Sequence, residues 1–358
     1  MIPPGDAVRA GALGPAKEGG RDDAAGVSLL APAMLAAVEA ELQTALEELL
    51  PGPYAEVRLM VRHHFGWESE AVPGKRIRPI LSLLCSASAG GDWHRAIPAA
   101  ASVELVHNFS LVHDDIEDAS ERRRGRPTVW SRWGIPQALN TGDFLFVASH
   151  LACHRLIGGG TSVETAYAVQ HELDEASLQL TLGQHLDLAF ERQPTVTTEE
   201  YLRMITGKTA SLLAAAAAVG AMVAEASASA CDAYRRFGWR LGMAFQLMDD
   251  LLGIWGEPDH TGKSTADDLR QGKKTYPVLL GLAHSPEFAR LWPSARSAAP
   301  DVPALQQALE ACGAESDTRR EAEKHTREAM DALAEAGPHP PAGDELVALA
   351  ERLLRRDR

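Results

Sequence analysis

The sequence predicts an all-α protein built as one large domain, and three observations support this. Apolar residues recur at spacings of three and four along most of the chain, which is the period of an amphipathic helix. Alternating stretches typical of strands are scarce, and no convincing linker interrupts residues 30–355. A chain of 358 residues with 45% apolar content can form one large domain or two ordinary ones, and the lack of a linker favours one.

The helices follow in order from their apolar period and their end signals. Residues 30–50 carry acids opposite the apolar face, and Pro51 and Pro53 follow the end of this helix. A second helix over residues 78–90 stops at a glycine pair, and a long apolar helix over residues 97–118 ends in acids. Further helices are predicted over residues 135–156, 161–190, 198–223, 230–253, 274–284, 302–312, 317–335 and 343–355.

The N-terminus and the apolar runs indicate where the protein acts. Residues 1–27 are rich in Gly, Ala and Pro, so we expect a disordered lead-in before a folded domain over residues 28–358. No signal peptide is evident, and the strongest apolar run, residues 211–224, is too short and too rich in small residues to span a membrane. The four cysteines form no CxxC pair. We therefore expect a cytoplasmic protein with reduced thiols and no membrane span.

Four acids stand within five positions at the end of the third predicted helix, shortly before three consecutive arginines. Asp114 and Asp118 are four residues apart and project from one helix face, and Asp115 can reach an ion beside Asp114. Carboxylates at a helix C-terminus oppose the helix dipole, which argues for a compensating cation. Hard oxygen ligands of this kind suit Mg²⁺, whose remaining ligands are waters and phosphate oxygens.

A second acid pair, Asp249 and Asp250, closes the apolar helix over residues 230–253. Two such helix ends facing each other would hold a metal cluster between them. One acid run alone is equally well explained as a solvated helix end. Two runs, each followed by a basic loop, favour a metal site.

The formal net charge of −14 makes nucleic acid an unexpected partner, yet Lys and Arg concentrate in a few segments. The turn GKRIRP (74–79) stands before a helix N-terminus, a setting that suits phosphate. There are more cations of this kind than one diphosphate needs, so two anionic substrates explain them better. They are Lys75, Arg76, Arg78, Arg123, Arg124, Lys208, Lys263, Lys273 and Lys274.

These motifs, in this order, resemble those of the trans-isoprenyl diphosphate synthases, the polyprenyl synthetase family. The resemblance covers about residues 40–290, and it implies an all-α isoprenoid synthase fold around a deep central cavity, usually as a homodimer. It also implies a prenyltransferase that condenses isopentenyl diphosphate with an allylic diphosphate by ionisation, condensation and elimination. The matching segments are GKRIRP (74–79), HNFSLVHDDIED (107–118), RRGRPT (123–128), GQHLDL (183–188), GKTA (207–210), FQLMDD (245–250) and GKKTYP (272–277).

The resemblance implies a role for each matching residue. The metal ligands would be Asp114, Asp115 and Asp118 for two Mg²⁺ ions and Asp249, beside Asp250, for a third. The contacts to isopentenyl diphosphate would be Lys75, Arg78, His107 and Arg124. The contacts to the allylic diphosphate would be Arg123, Lys208, Gln246, Lys263 and Lys273. The catalytic set would be Lys208, Thr209 and Gln246, with Thr209 and Gln246 facing the developing cation. Gln184 and Asp187 would orient the metal-binding helices.

The second acid motif departs from the family pattern DDxxD, because Gly253 stands where the last acid is expected. The binding of a third metal ion is therefore an open question, and a competing interpretation is possible. Asp249, Asp250 and Glu257 loosely resemble the second metal motif of class I terpene cyclases. A cyclase would not need a second anion site, so chain elongation is favoured. A non-catalytic subunit of a synthase pair is expected to lose first-motif acids, which this chain keeps.

Product length is expected to depend on the side chains just before the first acid motif, which in this family form the cavity floor. Phe109 lies five positions before Asp114 and Ser110 lies four positions before it, so a bulky ring stands beside a small hydroxyl. No two-residue insertion interrupts the first motif. These features resemble a geranylgeranyl (C20) synthase most, with the C15 farnesyl product as the alternative.

Overall fold

The structure is a computed structural model that describes residues 30–68, 74–256, 266–295 and 300–354. It is 82% helical, which confirms the all-α prediction. The expected lead-in over residues 1–27 lies outside the described residues. The helices are α1 Leu30–Leu49, α2 Ala55–Phe65, α3 Ile77–Ser88, α4 Ile97–Glu117, α5 Val129–Trp133, α6 Ile135–Gly158, α7 Val163–Arg192, α8 Thr198–Ile205, α9 Ser211–Val223, α10 Ala228–Trp255, α11 Asp267–Gln271, α12 Tyr276–His284, α13 Pro286–Ala295, α14 Val302–Ala311, α15 Ala314–Ala336 and α16 Ala342–Leu354.

Helices α4, α9 and α10 lie at the centre of the fold. Helix α4 packs against α1, α3, α6 and α9, and α10 packs against α9 and α15. Helix α9 is rich in alanine and almost fully buried, and its Gly220 lets the backbone of α3 approach closely. The run Thr198–Val223 is long and apolar enough to cross a membrane, but 83% of its most apolar stretch is buried inside the fold. This is the environment of a core helix.

Several short elements were not expected from the sequence, among them α2, α13 and a two-stranded ribbon. Helix α2 has a mixed pattern, in which Met60, Val61 and Phe65 are buried between charged residues. Helix α13 falls in a predicted loop, and it forms because Phe288 and Trp292, four residues apart, bury their stacked rings. The arginine-rich loop after α4 contains a two-stranded antiparallel ribbon, β1 Arg122–Arg123 and β2 Arg126–Pro127.

Candidate active site

Two cavities meet inside the ring of helices. The larger, of about 570 Å³, lies between the two acid clusters and is lined by Asp118, Asp249 and Lys273 among others. The smaller, of about 390 Å³, is largely apolar and runs along α4 and α7. Lys208 and Thr209 line both cavities and therefore mark their junction. This arrangement fits the central cavity that the resemblance implied.

The first acid cluster, at the end of α4, is bonded to the ribbon that follows it. Arg123 Nε lies 2.7 Å from Asp115 Oδ1, and Arg123 Nη2 lies 3.0 Å from Asp114 Oδ2. Burial raises the pKa of Asp115. Desolvation at the cavity wall, followed by the Asp114 charge, raises the pKa of Asp118 to about 6. The cluster therefore carries excess negative charge that a further cation would stabilise.

Lys208 reaches this cluster from a π-helical turn, Thr206–Ala210, between α8 and α9. Turns of this type are frequent at functional sites. The turn lies directly on α7, because a Cβ at Gly183 would overlap the Lys208 backbone nitrogen and a Cβ at Gly207 would overlap the α7 backbone. Two glycines therefore allow the approach that places Lys208 at the cavity junction.

The Lys208 ammonium joins α4 to α7. Its Nζ lies 2.6 Å from Asp187 Oδ2 and 3.3 Å from Asp114 Oδ1. Burial lowers the pKa of Lys208, but these two carboxylates outweigh it and hold the pKa above its usual range. On the same face of α7, Gln184 Nε2 donates to Glu117 Oε2 at 2.7 Å. The GQHLDL segment thus contacts the first acid cluster directly through Gln184 and indirectly through Asp187 and Lys208.

In the second acid cluster, Asp250 is turned toward protein donors. Its Oδ2 accepts the Tyr201 hydroxyl at 2.6 Å and the Tyr276 N–H at 3.1 Å, and its Oδ1 accepts Gln246 Nε2 at 3.2 Å. It is 3% exposed, and burial raises its pKa to about 7. Asp249, the other acid of the pair, is half-buried and lines the larger cavity.

Thr209 and Gln246 form a pair at the junction of the cavities. The Thr209 hydroxyl donates to Gln246 Oε1 at 2.9 Å, while the Gln246 amide nitrogen donates to Asp250. Both side chains line the larger cavity. Their orientation is therefore fixed by a chain of hydrogen bonds that ends on the buried acid.

The space beside Gly253 is filled by an acid that sequence reasoning missed. A Cβ at Gly253 would overlap the carboxylate of Asp268, which lies on α11. Asp268 is buried and lines the larger cavity beside Asp249 and Asp250. The Asp268 carboxylate thus lies over Gly253, the position at which the family pattern has its last Asp. The ADD sequence ahead of GKKTYP was the available signal, but that segment was interpreted as a loop.

The four residues predicted to contact isopentenyl diphosphate are grouped around His107, two helical turns before Asp114 on α4. Arg78 Nη1 donates to His107 Nε2 at 3.2 Å, and the Arg124 guanidinium lies so close to Gly74 that a Cβ there would overlap it. Lys75, the next residue, is exposed. Burial, then Arg78 and Arg124, hold the pKa of His107 well below its usual value, so it is neutral.

The two lysines after the second cluster differ in their contacts. Lys273 lines the larger cavity, and its charge acts on Asp118. Lys274 donates to the backbone carbonyls of Phe190 and Gln193 and so ties its loop to α7. Lys263 lies outside the described residues, and its predicted contact stays a prediction.

The residues predicted to limit product length lie along the smaller cavity. Phe109 packs edge-on against Phe146 on α6, with 4.8 Å between ring centroids. Ser110 Oγ donates to the His107 carbonyl of its own helix. Both residues line this cavity, together with apolar side chains such as Leu180 and Leu212.

Comparisons with known proteins show which family the chain is similar to. A model of the polyprenyl synthetase family matches residues 67–312. A (2E,6E)-farnesyl diphosphate synthase of Mycobacterium tuberculosis is 41% identical over 318 residues, covering 84% of this chain and 86% of its own. A geranylgeranyl diphosphate synthase of the same organism is 37% identical over 340 residues, covering 92% of this chain and 95% of its own.

Solved structures show the same fold. The geranylgeranyl pyrophosphate synthetase from Pyrococcus horikoshii Ot3 matches with a TM-score of 0.83 at 31% identity, covering 91% of this chain and 97% of that one. Motifs, fold and relatives thus agree. The chain belongs to the polyprenyl synthetase family and is a trans-isoprenyl diphosphate synthase, an enzyme that transfers prenyl groups.

Proposed function

We propose that the protein condenses isopentenyl diphosphate head-to-tail with an allylic diphosphate, with Mg²⁺, and releases mainly the C20 product geranylgeranyl diphosphate. One observation carries this proposal. One set of cations, with Arg78 beside His107, and another, with Arg123 and Lys208 beside Asp114, lie near the junction of the two cavities, and the largely apolar smaller cavity runs past Phe109. An enzyme with a single diphosphate substrate would need only one of these sets.

The acid clusters fit a divalent metal that shares its ligands with a substrate, and the family uses such a metal for diphosphate binding. In the described part of the chain, no group of three or more His, Cys, Asp or Glu side chains is arranged to hold a metal alone. Mg²⁺ commonly takes one or two carboxylates and fills its octahedron with waters and phosphate oxygens. We assign three ions to Asp114, Asp115, Asp118 and Asp249, with Asp268 beside the last.

Asp250 is better suited to positioning than to direct metal ligation. Both of its oxygens accept hydrogen bonds from protein donors, on Tyr201, Tyr276 and Gln246. These bonds fix the carboxyl beside Asp249 and orient Gln246 toward the cavity. We therefore assign Asp250 to the support of the metal site, which revises the role implied by the sequence.

In the first chemical step, the allylic C–O bond breaks and leaves a carbocation and diphosphate. Bound Mg²⁺ would stabilise the charge on the diphosphate oxygens. Arg123, Lys208 and Lys273 add fixed positive charge to this leaving group as it forms. The apolar walls of the smaller cavity shield the carbocation from water. The oxygens of Thr209 and Gln246 lie at the junction, where the cation forms.

In the second step, the double bond of isopentenyl diphosphate attacks this cation. Lys75, Arg78 and Arg124 hold its diphosphate, and neutral His107 keeps the Arg78 guanidinium in place. The new C–C bond moves the positive charge onto the former isopentenyl unit, and loss of a proton from that unit gives the product. The inorganic diphosphate released from the allylic substrate is the base that accepts this proton.

The C20 product is proposed from the floor of the smaller cavity, and the C15 product is the second candidate. Phe109, whose ring packs against Phe146, closes one wall, while Ser110 leaves room beside it. The 41% identity to a farnesyl diphosphate synthase favours C15, whereas the 37% match to a geranylgeranyl synthase covers more of both chains. The cyclase alternative relied on Glu257, which lies outside the described residues, and it leaves the second cation set without a substrate.

We also propose that the protein acts as a homodimer. Helices α6 and α7 carry exposed apolar side chains, including Leu139, Val147, Tyr167, Leu178 and Leu182. Exposed apolar side chains grouped on two helices that pack together are typical of a protein contact surface. The expected cytoplasmic location stays a prediction.

The test is a product analysis of the purified protein. It is incubated with Mg²⁺, isopentenyl diphosphate and, in turn, dimethylallyl, geranyl or farnesyl diphosphate, and the dephosphorylated products are sized. A C20 alcohol from all three starters supports the proposal, and a C15 limit supports the farnesyl alternative. Consumption of an allylic diphosphate without isopentenyl diphosphate, giving a hydrocarbon or a cyclic alcohol, would overturn it.

A further inference from the structure

Behind the cations assigned to isopentenyl diphosphate lies a buried charged network that the proposed reaction does not use. Its centre is Arg76, whose side chain is 0% exposed. Arg76 Nε donates to Glu39 Oε1 at 2.6 Å, and Nη1 donates to Glu104 Oε1 at 2.8 Å. The guanidinium also lies over the Phe65 ring, 5.0 Å from its centroid. Side chains from α1, α2 and α4 thus converge on one arginine.

The backbone of Arg76 is also unusual. Its φ of +46° lies in the left-handed region, which residues with a Cβ rarely adopt. Such a conformation persists where the surroundings over-determine it, and the two carboxylates and the ring around this side chain do so. Arg76 is the N-cap of α3, so its conformation sets how the chain enters that helix. The anchored side chain therefore determines where Lys75 and Arg78 project.

Glu104 supplies negative charge to three guanidinium groups. It is 3% exposed and lies on α4, one helical turn before His107. Burial acts to lower the pKa of Arg76, Arg78 and Arg124, and the Glu104 charge acts to raise it in each case. The pKa of Arg76 is raised as a result, whereas burial outweighs Glu104 at Arg78 and Arg124. Guanidinium groups packed together repel one another. A buried carboxylate behind them offsets that repulsion and leaves their outer N–H groups free to bind an anion.

The position of Glu104 is itself constrained by Asn108. Asn108 Nδ2 donates to the Glu104 carbonyl at 2.7 Å and to Glu104 Oε1 at 2.9 Å. Its Oδ1 therefore accepts from His64 Nε2, at 3.1 Å, which fixes the tautomer of His64. Burial, then Arg123 and Arg124, lower the pKa of His64 to about 3, so it stays neutral.

We propose that Arg76 and Glu104 are positioning residues for isopentenyl diphosphate, because they hold Lys75, Arg78 and Arg124 in a preformed anion pocket. This inference rests on the proposed function, since it requires that pocket to bind isopentenyl diphosphate. Neither Arg76 nor Glu104 lines the two cavities of the site. Their effect is therefore exerted through the residues they hold.

The experiment compares the variants Glu104→Gln and Arg76→Lys with the wild-type enzyme. Steady-state rates give the KM for isopentenyl diphosphate and for farnesyl or geranyl diphosphate separately, and calorimetry gives the affinity for isopentenyl diphosphate alone. We expect the KM for isopentenyl diphosphate to rise at least tenfold, while the KM for the allylic substrate changes less than threefold. Arg76→Lys keeps the charge but not the forked geometry. Its KM for isopentenyl diphosphate should therefore lie between those of the wild-type enzyme and Glu104→Gln.

Glu172→Gln is a matched control, because it breaks a two-bond pair with Arg235 at 2.9 Å that lies between α7 and α10, away from the cavities. It should leave both KM values unchanged. If Glu104→Gln does not fold, Glu39→Gln removes the more exposed partner of Arg76 and should raise the same KM by a smaller factor.

Equal changes in both KM values, or a lower melting temperature with both KM values unchanged, would overturn the positioning role. If the wild-type enzyme does not consume isopentenyl diphosphate, the proposed function itself is overturned. In that case the affinity for inorganic pyrophosphate alone is measured. Glu104→Gln must still weaken it, and an unchanged affinity would overturn the inference.

Discussion

In the half of the site assigned to isopentenyl diphosphate, Arg78 is balanced by Glu104, which lies behind it and lines neither cavity. In the half assigned to the allylic diphosphate, Arg123 and Lys208 are bonded directly to Asp114, a predicted metal ligand. The first half therefore presents its cations ready for an anion. In the second half, cations and acids must exchange partners when diphosphate and metal bind.

This difference has a chemical reason. Isopentenyl diphosphate keeps its diphosphate through the reaction, so a fixed pocket is sufficient. The allylic diphosphate becomes the leaving group, and charge must be supplied as its C–O bond breaks. In the proposed reaction, Asp115 and Asp187 would keep Arg123 and Lys208 near the leaving diphosphate, where this charge develops.

The largest effect is expected from the acid that both allylic-side cations contact. Asp114→Asn removes a predicted metal ligand and the charge that holds Arg123 and Lys208, so kcat should fall by about 10²–10³-fold. Glu117→Gln is a control on the same helix, because its carboxylate contacts Gln184 instead, and it should cost at most about tenfold. Equal losses in the two variants would contradict the assignment of Asp114.

Removal of the metal should affect the substrate affinities of the two halves of the site differently. In the presence of EDTA, we expect the affinity for a non-hydrolysable allylic diphosphate analogue to fall by about 100-fold, because its diphosphate shares ligands with the metal. The affinity for isopentenyl diphosphate should change by less than about threefold, since its pocket contains guanidinium groups rather than metal-binding acids. Calorimetry with and without Mg²⁺ measures both. A parallel loss of both affinities would show that the halves are not independent.

The sequence predicted the helical fold, and it identified most residues of the candidate site because the motifs that carry them are local. Each acid or basic cluster lies within a few residues, so helix periodicity and chemistry identify it without tertiary information. The long apolar helices were placed correctly for the same reason. Helix α13 was missed, because the packing of Phe288 on Trp292 outweighs the turn signals around it.

Contacts between distant segments could not be predicted. Asp268 and Gly253 are on different helices, and only the folded chain brings the carboxylate over the glycine. The environment of Asp250 likewise depends on Tyr201 and Tyr276, which come from two other segments. The role of Glu104 was invisible as well, since a single acid in an apolar helix carries no motif.

A smaller effect on the allylic half of the site is expected from a substitution at Asp268. Asp268→Asn keeps the shape over Gly253 but removes the charge, so the Mg²⁺ concentration for half-maximal activity should rise by about 10–100-fold. Binding of Mn²⁺ in the presence of pyrophosphate, followed by paramagnetic resonance, gives the affinity without turnover. Ser120→Ala, on the same cavity wall, is the control. Unchanged Mn²⁺ binding in Asp268→Asn would show that this acid has a structural role only.

Phe109→Ala should lengthen the product, while the affinities for both diphosphate substrates should change little. The ring closes the smaller cavity against Phe146, so its removal opens space for a longer chain. We expect products beyond C20, measured by sizing the dephosphorylated alcohols. Phe146→Leu keeps an apolar side chain and should lengthen the product less. An unchanged product in Phe109→Ala would show that the floor lies elsewhere.

The mildest prediction concerns pH and the acid that supports the allylic half. Burial raises the pKa of Asp250 to about 7, above the ordinary value near 3.8 that it has in the unfolded chain. The folded state therefore binds a proton more tightly, and in metal-free buffer its stability should fall as the pH rises from about 4 to about 7. The slope from this one group is at most about 1.4 kcal/mol per pH unit. Asp250→Asn should remove the part of this slope that lies between about pH 6 and pH 7, as denaturant unfolding at several pH values would show. The loss caused by Asp118, whose pKa is about 6, ends one pH unit lower, so a slope that persists above pH 6 in Asp250→Asn would contradict the assignment to Asp250.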